Sequence, residues 1–292
     1  MKIGESVSAA ICRAGLEPHI RRLRQAGFDC VDMQFFADTE NGWFDGGTAA
    51  FSRRCEEFRR ITEGCGMEIS QTHGPWRHPP RDDTPADREE RFDKMARSLE
   101  GTAILGAPCM VIHAIMPFGT KNPAKRSDPD AERFLELNRD FFRRLLDRAK
   151  GYGVVIALEN LPFRQLLLSA PQDVLDFVKS FDSPYLRMCV DTGHAAVHGL
   201  GAGDVLRQVG KEYLACLHVH DNDGQGDRHW VPYTGVVDWA DFSRALHEIG
   251  FDGTVSLETH VRSLLPGVPE ALWDEYARSL AATARYLTIL PE

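Results

Sequence analysis

Two rhythms of apolar and polar residues alternate along the chain. Short β-branched or alternating runs predict strands at residues 2–7 (KIGESV), 30–35 (CVDMQF), 67–74 (MEISQTHG), 109–115 (CMVIHAI), 154–160 (VVIALEN), 186–194 (LRMCVDTGH), 214–221 (LACLHVHD) and 254–260 (TVSLETH). Longer stretches with helical spacing lie between them. Residues 19–27 end in Gly27 behind several arginines, as a helix C-terminus prefers. Residues 86–106 place Phe92, Met95, Leu99 and Ile104 on one stripe, and residues 130–153 do the same with Phe134, Leu135, Phe141, Leu145 and Leu146. Residues 269–287 give a closing helix.

Strand and helix alternating eight times within 292 residues is the count of a (β/α)₈ TIM barrel, an α/β fold expected here as a single domain over residues 1–292. The rival, a doubly wound sheet, usually carries a glycine-rich phosphate loop after an early strand, and neither GxGxxG nor GxxxxGK[ST] occurs. The polar, proline-containing stretches 77–90 and 119–132 read as long loops, not interdomain linkers.

Composition narrows the function classes. The apolar share of 43% and charged share of 26% are those of a globular protein. A net charge of −9 argues against general nucleic-acid affinity, which rests on Lys and Arg neutralising phosphates. No apolar run has the length of a membrane span, and the first ten residues hold no signal-peptide core. The seven cysteines, Cys12, Cys30, Cys55, Cys65, Cys109, Cys189 and Cys216, form no CxxC and sit largely in apolar runs. Reduced, buried thiols in a cytoplasmic protein are the expectation.

The candidate chemistry lies where the strands end. The third predicted strand ends in His73, the fourth carries His113 and the fifth ends in Glu159. The sixth gives Asp191 and His194, the seventh His218 and His220, and the eighth Glu258 and His260. Just past the seventh, the stretch LHVHDNDGQGDRHW (217–230) adds Asp227 and His229. Each alone fits a plain role: His113 as a core imidazole, Glu159 in a salt bridge, Asp191 as a helix cap, His260 in solvent. Together they are buried polar groups on successive strands, which is costly without a shared purpose, and the strand ends of a barrel converge on one mouth. Imidazole and carboxylate are ligands of Zn²⁺, Mn²⁺ and related divalent ions, with Mg²⁺, Co²⁺ or Fe²⁺ as further options. His218 and His220 face the same way one layer apart. The mouth-side His220 is expected as the ligand and His218 as a supporting or core residue.

The ordered set ALENLP, VDTGH, HVHDNDGQGDRHW, TGVVDW and SLETH resembles the xylose-isomerase-like barrel superfamily of sugar isomerases, sugar epimerases and endonuclease IV. Resemblance to its ketose 3-epimerases implies one divalent ion on Glu159, Asp191, His220 and Glu258. Glu159 and Glu258 then also serve as the acid–base pair and His194 touches substrate. Two positions depart from that pattern: Gly226 stands where an arginine is expected, with Arg228 nearby as the substrate-binding alternative, and Gln165 replaces a glutamate. Resemblance to endonuclease IV implies a larger set of additional metal ligands, His73, His113, His194, Asp227 and His229. The turn after the third strand is expected to place Trp76 against a sugar at the mouth. The leading expectation is a metal-dependent sugar or sugar-phosphate isomerase or epimerase with a small carbohydrate substrate and room for a homo-oligomer. A zinc-dependent phosphoester hydrolase, such as an abasic-site nuclease, is the alternative, disfavoured by the acidic charge.

Overall fold

A computed structural model describes residues 1–9, 12, 15–76, 82–259 and 269–291. Eight parallel strands form one sheet: β1 (Lys2–Val7), β2 (Cys30–Met33), β3 (Glu68–His73), β4 (Cys109–Ile112), β5 (Val155–Glu159), β6 (Leu186–Asp191), β7 (Leu214–His218) and β8 (Thr254–Leu257). Their order, β7-β6-β5-β4-β3-β2-β1-β8, follows the chain except for the step that brings β8 beside β1. The barrel closes between β7 and β8 where Val219 bridges Leu257: the Val219 N–H donates to the Ser256 carbonyl (2.9 Å) and the Glu258 N–H to the Val219 carbonyl (3.1 Å). This is the expected (β/α)₈ barrel.

Among the described residues the α-helices are α1 (Leu16–Ala26), α2 (Gly47–Gly64), α3 (Pro85–Leu105), α4 (Ala131–Tyr152), α5 (Pro171–Lys179), α6 (Thr192–Val197), α7 (Ala202–Tyr213), α8 (Trp239–Glu248) and α9 (Trp273–Leu287). Helix α3 starts on a capping box in which Thr84 and Asp87 exchange hydrogen bonds and Pro85 takes the first turn, and it stops at Gly106 in the left-handed conformation. The main core lies between strands and helices, as in α4, where Phe134, Leu135, Phe141, Phe142, Leu145 and Leu146 are all buried. None of the described helices is long and apolar enough to cross a membrane. Cys30, Cys55, Cys109, Cys189 and Cys216 are buried free thiols.

Period-two alternation sorts the strands into an outer face that packs on the helices and an inner face that fills the lumen. Cys109, Val111, Ala157, Cys189 and Cys216 form a separate cluster of small buried side chains. Two residues further along the same faces come His113, Glu159, Asp191 and His218. The lumen therefore has a compact apolar floor below a polar mouth.

Several strands stop sooner than their apolar runs. The sixth was expected to run to His194, but ends at Asp191 because that side chain caps α6 by accepting the His194 N–H (2.6 Å). The eighth ends at Leu257, and His260 lies outside the described residues.

Candidate active site

The DTGH segment shows how local sequence builds the site. Asp191 ends β6 and caps α6. The Thr192 hydroxyl donates to the His220 carbonyl (2.7 Å) and accepts from the His220 N–H (3.0 Å), tying β6 to the segment after β7. Gly193 gives room: a Cβ there would lie 2.0 Å from His220 Cε1. His194, one turn on, points back over the mouth, its Nδ1 2.7 Å from the Asn160 carbonyl. Asn160 in turn exchanges two hydrogen bonds with the Asp191 backbone.

The loop after β7 is held by one buried carboxylate. Asp221 accepts from the N–H groups of Asn222, Gly235 and Val237 and from the Trp239 indole, and its own backbone pairs antiparallel with Trp230. That anchor places Asp227 and His229 on the rim.

Four imidazoles share one arrangement. The Nδ1 atoms of His73, His194, His220 and His229 lie 2.8, 2.7, 3.2 and 2.7 Å from the carbonyls of Gly74, Asn160, Asp221 and Glu258. A carbonyl only accepts, so each Nδ1 carries the hydrogen and each Nε2 faces a carboxylate. Those distances are 3.6 Å from His73 to Glu159, 3.4 Å from His194 to Asp227, 3.1 Å from His220 to Asp191 and 3.1 Å from His229 to Asp227. His113 differs: its Nε2 donates to Glu159 Oε2 (2.8 Å), and its buried Nδ1 has no hydrogen-bond partner among the described residues. His218 is fully buried between carboxylates, with Nδ1 2.8 Å from Glu159 Oε1 and 3.2 Å from Glu258 Oε2, and Nε2 3.0 Å from Asp32 Oδ2.

The charges respond to this crowding. Burial opposes ionisation of Glu159, but the His218 charge and hydrogen bonds from His113, His218 and His73 hold its carboxyl well below the usual range. Burial likewise opposes the charged form of Asp227, and His194 and His229 overcome it and lower its pKa. Against burial, Asp191 and Asp227 push His194 up to about 10. Against burial, Asp227 and Glu258 push His229 up to about 9. Burial dominates at His113 and pushes it down to about 4. The cluster of carboxylates thus demands positive charge and draws it from imidazole protons. A divalent ion held there would supply the same charge in place of those protons.

The donor set fits such an ion. Imidazole nitrogens fixed through their far side and aimed at carboxylates are the arrangement a metal site needs. One ligand atom each from Glu159, Asp191, His218 and Glu258 lie within 4.8 Å of one another, and so do those of His73, His113 and Glu159, of Asp191, His194 and His220, and of His220, His229 and Glu258. Nearly all of these residues are buried.

The structure therefore brings Glu159, Asp191 and Glu258 together as expected, but places His218 in their quartet. His220 sits beside them, grouped with Asp191 and His194 and also with His229 and Glu258. The extra candidates His73, His113, His194, Asp227 and His229 all border the same mouth. Trp76 packs its ring edge-on to His113 at 4.3 Å between centroids. Arg228 lies on the exposed rim, its Nε 3.1 Å from Asp223 Oδ2. Sequence reasoning missed Asp32, Gln34 and Gln71, which reach the site from β2, the residues after it, and β3; the signal was there in CVDMQF, where polar side chains recur at every second position.

Comparisons with known proteins agree with this architecture. A sequence profile described as xylose isomerase-like TIM barrel matches residues 20–283. An uncharacterized protein of Methanocaldococcus jannaschii is 32% identical over 62% of this chain and 62% of its own length, so the match spans less than two thirds of that relative. The D-psicose 3-epimerase of Ruminiclostridium cellulolyticum is 24% identical over 92% of this chain and 91% of its own. Among solved structures, the IOLI protein with a binding zinc atom shares the fold with a TM-score of 0.71 at 16% identity, covering 99% of this chain and 96% of that one.

Proposed function

The chain belongs to the xylose isomerase-like TIM-barrel family, and from that premise we propose that it is a divalent-metal-dependent isomerase or epimerase of a small sugar or sugar phosphate, moving a proton at the carbon beside a carbonyl. The observation that carries this reading is the pair Glu159 and Glu258. They come from β5 and from the end of β8 yet approach the same His218 nitrogen, at 2.8 and 3.2 Å. Two carboxylates around one centre are what removal and return of a carbon-bound proton require. The relatedness to a D-psicose 3-epimerase across nearly the whole chain supports the same chemistry.

Glu159, Asp191, His218 and Glu258 are the proposed ligands, with His220 beside them on the Asp191 side. A mixed nitrogen and oxygen set suits Zn²⁺ or Mn²⁺ better than Ca²⁺, which takes oxygen alone. When bound, the ion supplies Lewis-acid polarisation of a carbonyl, which lowers the cost of carbanion character beside it. In the proposed reaction one of the two glutamates takes the proton from carbon and the other can return it. His194 holds a substrate oxygen through Nε2, its ring fixed by Asn160. Trp76 packs against the carbon skeleton, and Arg228 binds substrate from the rim if it exchanges Asp223 for it.

A second reading has its own observation. The overlapping donor groups around His73 and His113, around His194 and His220, and at His229 offer room for two or three ions. Clustered ions favour attack by water on a phosphoester. A metal count on protein saturated with zinc or manganese, run beside a screen of ketoses, ketose phosphates and a model phosphodiester, tests both. One ion per chain with ketose interconversion fits the isomerase. Two or three ions with diester cleavage and no ketose turnover overturns it.

A further inference from the structure

We infer that Asp32 is a positioning residue for the metal centre: from β2 it holds the far nitrogen of His218 so that Nδ1 faces Glu159, Asp191 and Glu258. This rests on the proposed metal reading and extends it to a residue of β2.

Asp32 is fully buried. Its Oδ2 lies 3.0 Å from His218 Nε2 and also accepts from the side-chain amides of Gln71 (3.2 Å) and Gln34 (3.5 Å). Both amides reach onward. The Gln71 amide also donates to the carbonyl of Leu217, the residue before His218 (3.2 Å). The Gln34 amide also donates to Glu258 Oε1 (2.7 Å). Asp32 is therefore the centre of a clamp that fixes the ring of His218, the backbone leading into it and the carboxylate opposite. The other Asp32 oxygen, Oδ1, has no hydrogen-bond partner among the described residues. Leaving a buried carboxylate oxygen unsatisfied is expensive, and retaining the carboxylate points to a task that an amide or an apolar side chain does not perform.

The task follows from the contrast with the other histidines. His73, His194, His220 and His229 are fixed by neutral carbonyls. His218 alone among these five has a carboxylate behind it. A carboxylate partner keeps the hydrogen on Nε2, leaves the Nδ1 lone pair for the ion and makes that nitrogen a stronger donor. The His218 ring is also stacked on that of His73, centroids 5.8 Å apart and planes 9° apart, so it has little freedom to turn away.

The test is metal affinity, measured by chelator competition with Zn²⁺ and with Mn²⁺ on wild type, D32N, H218Q and the D32N/H218Q double variant. D32N keeps the shape and an accepting oxygen but removes the charge. It is expected to weaken affinity roughly 10- to 100-fold. In the H218Q background the D32N substitution is expected to have almost no further effect, because its route to the ion is gone. Unchanged affinity in D32N, or an equal loss in both backgrounds, overturns the inference. If D32N does not accumulate as folded protein, Q71M removes one amide donor and the tie to Leu217 while leaving Asp32 in place. A several-fold loss of affinity then supports the clamp, and none overturns it. Wild-type protein that binds neither ion contradicts the metal reading itself. Wild-type binding with an indifferent D32N contradicts only the role of Asp32.

Discussion

Replacing Gly193 with alanine tests whether His220 stands where the structure puts it. Gly193 lies in α6, and no positive φ forbids a side chain there. Space does. The new Cβ would lie 2.0 Å from Cε1, 2.4 Å from Nδ1 and 2.8 Å from Nε2 of His220, so the ring must retreat by about 1.4 Å to reach an ordinary 3.4 Å contact. It has nowhere to go. His229 stacks on the ring with centroids 4.4 Å apart, and His194 meets it edge-on at 5.6 Å. Overpacking of this kind costs about 1–3 kcal/mol. Losing the 3.1 Å contact of Nε2 with Asp191 adds about 1.5–3 kcal/mol. The better helix propensity of alanine returns about 1 kcal/mol. The net expectation is a loss of about 1.5–5 kcal/mol, which for a chain of this size lowers the melting midpoint by roughly 3–20 °C. Denaturant titration and thermal melts of metal-free protein measure it, and chelator competition reads the accompanying loss of metal affinity. A G193A protein within about 0.5 kcal/mol of wild type and with unchanged affinity would refute the placement of His220.

Three further outcomes follow from the same geometry. Glu159→Gln and Glu258→Gln are each expected to lower ketose turnover by at least ~10²–10⁴-fold, and metal analysis of each variant separates lost proton transfer from a lost ligand. Asp221→Asn places an amide group against the donors Gly235 N–H and Trp239 Nε1–H; a loss of about 1–3 kcal/mol in denaturant titration, with weaker metal binding through the displaced Asp227 and His229, is expected, and an unchanged midpoint counts against Asp221 as the anchor. Stripping the ion with a chelator should lower the melting midpoint relative to protein held at 100 times the dissociation constant, where binding contributes about 2.7 kcal/mol, or roughly 5–10 °C; coincident melts would mean the ion does not favour the folded state.

The barrel was legible in the sequence because both of its rhythms are local. Period-two runs marked eight strands, and their polar ends marked the mouth without any knowledge of pairing. The choice between His218 and His220 was not local. Both face inward, and which one meets Glu159 depends on how far β7 is shifted along β6. That register slips between Met188 and Cys189, so that Asp191 pairs with His218. Nothing in LHVHD announces the slip. Asp32 belongs to CVDMQF, whose inward face becomes visible only once the sheet pairs it with Ser6 and Gln71. The end of β6 was misjudged because Asp191 serves both as a cap and as a member of the cluster, and capping turned the following residues into helix. The contact of Arg228 with Asp223 is visible only in the folded loop.

Deuterium exchange reads proton transfer at the substrate carbon itself. Metal-loaded protein is incubated in D₂O with a panel of ketoses and ketose phosphates, and incorporation at the carbon beside the carbonyl is followed by NMR. Exchange is expected with at least one member of the panel, lost on chelation, restored by Zn²⁺ or Mn²⁺, and absent in the Glu159→Gln and Glu258→Gln variants. Protein that carries its ion yet exchanges no member of the panel, while cleaving a phosphodiester or abasic-site DNA, would contradict it.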